Sequence, residues 1–257
     1  QVPEEKEGKK RTKGRFILVA TAVAAVMAGI FFFQRNSPVL DKSHAKLQVS
    51  STERSEFKYL LLPDSTQVWL NAASTLEFPP EFGNNKREVF LSGEAYFDVR
   101  HAEKVPFIIH TGKISTTVLG TAFNIKAYED LSNVTVSVSR GKVRVNYLEK
   151  EVATLAPGQQ VKVNNNGSGV PDRRSGIGQV AAWQQGNLMY DDETILDIAA
   201  DLERMYNVSI KVSDIAVRNM RISTSFSRQT GVEQALQIIC SLTDRKMVQR
   251  KGEYFIY

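Results

Sequence analysis

VTVSVSRGKVRV, Val134 to Val145, decides the fold class of the larger part of this chain. Val134, Val136 and Val138 alternate with Thr135, Ser137 and Ser139, the two-residue period of a strand with one buried face. Arg140-Gly141 then turns the chain into Val143 and Val145. The same pattern recurs on both sides. YLLLPDSTQVWLNAAS (59–74) carries a Pro-Asp-Ser turn between two apolar segments, and in EVFLSGEAYFDV (88–99) Ala95, Phe97 and Val99 alternate with Glu94, Tyr96 and Asp98. PFIIHT (106–111), KISTTVLGTAFNIKAY (113–128) and ATLAPGQQVKV (153–163) continue it. Short alternating segments with turn signals at fairly regular spacing predict an all-β sandwich or solenoid over 55–163.

NNNGSGVPDRRSGIG, 164–178, is almost free of apolar residues. It cannot bury enough surface to offset its ordering entropy and is predicted to be a mobile linker. Beyond it the period changes. ETILDIAADLERMYN places Ile195, Ile198, Leu202 and Met205 at helical spacing, with Asp191 or Asp192 as the expected cap. VSIKV and MRISTSFS read as strands, and TGVEQALQIICSL as a second helix with Thr230 and Glu233 in capping-box spacing. KMVQR and EYFIY close the chain as strands, so 179–257 is predicted to be a compact β-α-β-β-α-β-β module, an α+β unit. Cys240, the single cysteine, is expected to pack on the second helix as a buried thiol.

FILVATAVAAVMAGIFFF, Phe16 to Phe33, has no charged residue. A helix of roughly 18 residues spans about 27 Å, close to the thickness of a bilayer's hydrocarbon layer. It ends in three phenylalanines rather than in a small-residue cleavage site, which favours an anchor over a cleaved signal peptide. Six basic residues against three acidic ones in the first fifteen place +3 of the net +5 there. The positive-inside rule then puts the N-terminus in the cytoplasm and everything after Phe33, beginning with a juxtamembrane segment 34–54, outside. The near-neutral remainder argues against a nucleic-acid-binding surface.

The search for chemistry finds little. His44, His101 and His110 match no metal-ligand spacing. Glu94 and Asp98 share a strand face but would stand roughly 13 Å apart, too far for glycoside hydrolysis, and read as solvated carboxylates. Asp191-Asp192-Glu193 lacks calcium-loop spacing. Trp69 and Trp183 are possible sugar platforms, although Trp69 inside an apolar strand is expected in the core. No cofactor, metal site or turnover enzyme is implied. The last strand, Tyr254-Phe255-Ile256, is the expected partner-binding edge.

Taken together, LPDSTQVWLNAASTLEFP, REVFLSGEAYFDV, PFIIHTGKISTTVLGTAFNIKAY and LAPGQQVKV, in this order, resemble the FecR family of membrane-bound sigma-factor regulators of gram-negative bacteria. WQQGNLMYDDETILDIAADLERMYNVSI to the end resembles the FecR C-terminal domain, related to the short N-terminal domain of secretins and TonB-dependent transporters. The resemblance implies an inner-membrane anti-sigma factor. Its partners would be the periplasmic signalling domain of an outer-membrane TonB-dependent transporter and an extracytoplasmic-function sigma factor. The cytoplasmic sigma-binding domain of the family is not evident in the fifteen residues before the apolar run. Some members resemble self-cleaving proteins that split at a Gly-Thr bond, here Gly120-Thr121, with His110 the nearest histidine in sequence. The competing reading is a membrane-anchored carbohydrate-binding or structural β-domain, which predicts exposed aromatics on one β face.

Overall fold

Inward valines, leucines and phenylalanines alternate with polar residues along most strands of the larger domain, and they close over one core. The computed structural model describes residues 46–172 and 180–257, with Met27 and Gly29 besides. The expected anchor, 16–33, and His44 lie outside the described residues. Among the described residues no helix is long and apolar enough to cross a membrane.

Thirteen strands make the β domain: β1 (Gln48–Ser51), β2 (Lys58–Leu61), β3 (Gln67–Leu70), β4 (Thr75–Phe78), β5 (Arg87–Asp98), β6 (Phe107–Thr111), β7 (Ile114–Val118), β8 (Ala122–Ala127), β9 (Asn133–Arg140), β10 (Val143–Tyr147), β11 (Lys150–Leu155), β12 (Gln160–Asn164) and β13 (Pro171–Asp172). The long strand β5 belongs to both layers. Its first half pairs with β4 and, in parallel, with β6, while its second half pairs with β3 and β8. The two halves meet at Gly93, with φ of 102° and a would-be Cβ 2.3 Å from Ser74 Oγ, so only glycine fits this bend. One layer then runs through β6, β7, β10 and β11, the other through β8, β9, β12 and β13. Val68, Leu70, Phe97, Phe107, Phe123, Val136, Val143 and Leu155 fill the space between. The Arg140-Gly141 turn carries the chain from β9 in one layer to β10 in the other, and each of these strands pairs elsewhere.

Part of the predicted linker is folded. Asn164 Oδ1 accepts hydrogen bonds from the amides of Asn166 and Ser168, both at 3.0 Å. Tyr147 Oη donates to the Asn165 carbonyl at 2.9 Å, and β13 pairs with β12. An Asn side chain that bonds its own backbone two residues on makes a tight turn from residues too polar to form a core. Residues 173–179 lie outside the described residues.

The second module has the elements β14 (Asn187–Thr194), α1 (Ile195–Tyr206), β15 (Ser209–Val212), a short α2 (Ile215–Arg218), β16 (Arg221–Ser227), α3 (Val232–Thr243), β17 (Met247–Arg250) and β18 (Glu253–Ile256). The expected order holds, with α2 added. Both caps differ from expectation. Thr194 Oγ1 accepts from the Asp197 amide at the start of α1, because Asp191 and Asp192 are drawn into β14. Gly231 rather than Thr230 precedes α3. Cys240 is buried in this module's own core with Leu202, Leu236 and Ile239, and burial pushes its thiol pKa up. The β domain and the module belong to one compact unit, Ala45–Tyr257.

Candidate functional site

The face of β5 and β8 that points away from the core is not free, because the second module sits on it. Glu94, expected to be solvated, is buried. Its carboxylate accepts from Asn71 Nδ2 at 2.7 Å and from Asn124 Nδ2 at 2.8 Å. The Oδ1 of each asparagine is already committed, that of Asn71 to the Ala72 amide and that of Asn124 to Trp183 Nε1 at 3.1 Å. Both amides are thereby oriented to donate to Glu94. Burial raises the Glu94 pKa above its ordinary value, against the pull of Lys126.

Beside it, Lys126 of β8 forms an ion pair with Asp201 of α1. Arg204, one turn further along α1, donates to Asp201 at 2.6 Å and to both carboxylate oxygens of Asp130 at 2.7 and 2.9 Å. Its guanidinium also lies 3.9 Å from the centre of the Tyr128 ring. Burial alone would raise the Asp201 pKa, but Lys126 and Arg204 outweigh it and hold the carboxyl below its ordinary value. A further pair joins Lys162 of β12 to Glu193 of β14. The residues around Glu94, Lys126 and Asp201 line a cavity of about 450 Å³ between β domain and module. Tyr190 also lines it; its hydroxyl is buried with no hydrogen-bond partner among the described residues.

A strap from the β domain grips the module from the other side. Ser55, between β1 and β2, donates its amide to the Arg204 carbonyl and its hydroxyl to the Met205 carbonyl, both at 2.8 Å. These are carbonyls of the last turn of α1, which helix geometry leaves open. Phe57 stacks on Trp183 with ring centres 5.9 Å apart, and the Arg228 guanidinium lies 4.2 Å from the centre of the Phe57 ring while donating to the Ser55 carbonyl at 3.0 Å. Sequence reading missed Ser55, Lys126, Asp130, Asp201 and Arg204. Asp201 and Arg204, three apart, look like an ordinary exposed helix pair, and only the tertiary contact with Lys126 and Asp130 distinguishes them.

Gly120-Thr121 lies between β7 and β8. The histidine beside it is His101, not His110: a Cβ on Gly120 would stand 2.5 Å from His101 Nδ1 and 2.6 Å from its Cα. His110 instead stacks on Phe90 and lies 3.2 Å from Glu88. Thr121 is buried, its hydroxyl donating to the Lys142 carbonyl at 3.0 Å. The amides of Val99 and Ala102 clamp the segment through the carbonyls of Thr121 and Leu119.

The expected edge, Tyr254-Phe255-Ile256, is the middle of its sheet. β18 pairs in parallel with β15 and antiparallel with β17, so it offers no open side to a partner strand. The chain's last strand is central because the parallel crossover from β15 inserts it between the other two. Trp69 is also displaced from expectation. Val68 and Leu70 take the core positions, and alternation turns Trp69 outward into a cross-strand row with Tyr59 and Tyr96. Among the described residues no group of three or more His, Cys, Asp or Glu is placed to hold a metal ion.

Comparison with known proteins agrees with this architecture. The family model described as FecR protein matches residues 48–144, and that described as FecR, C-terminal, matches 187–257. No curated protein matches the chain. Two crystal structures of a candidate anti-sigma factor from Parabacteroides distasonis superpose with a TM-score of 0.77 at 34% identity, covering 82% of this chain and 99% and 98% of theirs. With both domains matched and this level of identity over most of its length, the chain belongs to the FecR family.

Proposed function

We propose that this chain is an inner-membrane anti-sigma factor that relays the state of an outer-membrane TonB-dependent transporter to an extracytoplasmic-function sigma factor. Membership of the FecR family and the likeness to a candidate anti-sigma factor support the sigma-factor side. The apolar run 16–33, with basic residues before it, supports a single span with the domains outside. The observation that carries the relay is the strap. Ser55 and Phe57 hold the C-terminal end of α1 and Trp183, and they stand about twenty residues after the apolar run in sequence. A load placed on the module by a transporter domain therefore reaches the segment leading toward the membrane through a few hydrogen bonds, rather than through the whole β sandwich. The test is a reporter driven by the cognate sigma factor, in cells carrying the full chain or Ser55→Gly with Phe57→Ala, since glycine keeps the positive φ of 64° at Ser55 while the pair removes the hydroxyl bond and the ring stack. Uncoupled signalling with normal protein levels supports the relay, and wild-type induction by the double variant removes the strap from it.

A second activity, single-turnover self-cleavage at Gly120-Thr121, has its own support in the placement of His101 and Lys142. Thr121 Oγ1 would attack the Gly120 carbonyl carbon. The C–N bond then breaks, leaving an ester and a free Thr121 amine, and water hydrolyses the ester to the Gly120 carboxylate and the restored hydroxyl. The Lys142 carbonyl orients the hydroxyl, and the absence of a side chain on Gly120 lets the His101 imidazole lie beside the bond; in this proposal it takes the hydroxyl proton and returns it to the leaving amine.

A further inference from the structure

A track of side chains crosses the outer face of a single layer; Trp69 stands in it, and Trp183, from the turn Ala182–Gln185, docks on it at Asn124. The register is continuous: Tyr59 opposite Trp69, Trp69 opposite Tyr96, Tyr96 opposite Asn124, Asn124 opposite Ser137, and Ser137 opposite Gln160. Directly opposed residues point to the same face. The first half is aromatic and open: Tyr59 is 52% exposed, and Trp69 and Tyr96 are half-buried. Ring centres are 5.2 and 5.7 Å apart along it. The second half runs under the module into the 450 Å³ cavity, where Trp183 holds Asn124 and Tyr190 forms part of the wall, its enclosed hydroxyl without a hydrogen-bond partner among the described residues. That volume lies within the range of small-molecule sites, which is about 300–1,000 Å³.

We propose that this track binds a neutral oligosaccharide, which lies along the Tyr59–Trp69–Tyr96 row and ends in the cavity. The chemistry selects the class. A pyranose ring has an apolar face of C–H bonds, which rests on the negative face of an aromatic ring, and a rim of hydroxyls that needs amides, hydroxyls and carboxylates. The track supplies the two in that order. Among the described residues it offers no unpaired cation to an anionic ligand: Lys126 is paired with Asp201, Lys162 with Glu193 and Arg204 with Asp130 and Asp201, while Glu94, Asp191 and Asp197 in the cavity wall repel an anion. The Tyr190 hydroxyl, desolvated without a partner among the described residues, gains a bond where a ligand hydroxyl displaces the side chains that close it off from the cavity. This reading is independent of the sigma-factor relay, and a chain that fails as a regulator still tests it.

The two tryptophans are the chain's only ones, so intrinsic fluorescence reports directly on both halves of the track. The full chain, kept in a detergent without a sugar headgroup, is titrated with neutral hexasaccharides built from glucose, xylose or N-acetylglucosamine, and with an anionic oligogalacturonate. A saturable emission change with at least one neutral sugar is expected. Tyr59→Ala, exposed and tolerable to folding, weakens it about tenfold; Tyr190→Phe also weakens it, with the melting temperature unchanged or raised. Trp69→Phe leaves Trp183 as the sole reporter, and a remaining signal places ligand at the cavity end. No saturable change with any neutral hexasaccharide, equal binding of the anionic one, or wild-type affinity in both Tyr59→Ala and Tyr190→Phe overturns the proposal.

Discussion

Lys126 of the β domain and Asp201 of the second module form a largely buried ion pair across the junction, with side chains 22% and 13% exposed. Each is the other's main Coulombic support. Asp201→Asn leaves a buried ammonium beside Glu94, and Lys126→Met leaves two buried carboxylates with Arg204 as their nearest cation. Removing one partner of such a pair costs about 3 kcal/mol. Each single variant is expected to lower the urea midpoint, followed by tryptophan fluorescence. The double variant should cost less than the sum, because contacting residues couple. Strict additivity would mean that the pair contributes nothing to the junction.

Glu94 gives the junction a pH signature. Its carboxyl titrates above 4.5 in the folded protein because it is buried. Such a group binds its proton more tightly when folded, so it adds stability below pH 4.5 and loses it as pH rises through the folded value. Asp201 has the opposite sign: held below 3.8, it adds stability above that pH and loses it as pH falls further. Glu94→Gln isolates the first effect. Both asparagine amides donate to residue 94, and a glutamine presents one acceptor and one donor, as the protonated carboxyl does, so the variant should match the wild type closely at the acid end. It should gain on the wild type as pH rises above 4.5, where only the wild type buries a charge. A gap independent of pH would show that Glu94 has the same pKa folded and unfolded.

Alternation made the β domain legible, because each core strand buries one face and Val134 to Val138 read as they fold. It could not read the face of Trp69, since Val68, Trp69 and Leu70 are all apolar and offer no contrast. Helical spacing found α1 and α3, which bury the expected Ile198, Leu202, Leu236 and Ile239. The candidate junction was illegible for a different reason. Glu94 and Lys126 stand where an outward strand residue belongs, and Asp201 and Arg204 carry the charges of a solvent-facing turn. Only the docking of one module on the other buries them, and nothing local encodes that docking. The turn at Asn164 was hidden by composition, since the residues that make a disordered linker also make tight turns.

A partner strand, if it adds to the second module, has to use an outer edge of the β15-β18-β17 sheet. Lys246 and Tyr257 exchange both backbone hydrogen bonds, so in the alternation of an antiparallel pair Val248 also bonds inward to Phe255 while the Met247 and Gln249 amides face away. Gln249→Pro removes an outward donor and leaves the native ladder intact. It is expected to weaken binding of a transporter's periplasmic domain, measured by amide chemical shifts, with little change in melting temperature. Phe255→Pro should unfold the sheet instead. Undiminished binding by Gln249→Pro would move the contact away from β17.

His101, not His110, is the histidine beside Gly120-Thr121, and variants at the two histidines and at Thr121 test the proposed cleavage. Gly120→Ala puts a methyl group into the His101 backbone and ring at 2.5–2.7 Å, an overpacking that costs about 1–3 kcal/mol, so its loss of cleavage is uninformative. Thr121→Ser keeps the hydroxyl and its bond to the Lys142 carbonyl, whereas Thr121→Val keeps the shape and removes the nucleophile. His101 is largely exposed, with a side chain at 66%, so His101→Gln should leave stability within about 0.5 kcal/mol of wild type. Intact mass and a denaturing gel of the full chain should show a fragment beginning at Thr121. It is expected to persist in Thr121→Ser, vanish in Thr121→Val, and form more slowly in His101→Gln than in His110→Gln. A chain that stays whole on long incubation would leave Gly120 as the one residue that fits beneath His101, with no chemistry attached. Equal rates in the two histidine variants would leave the imidazole out of the step.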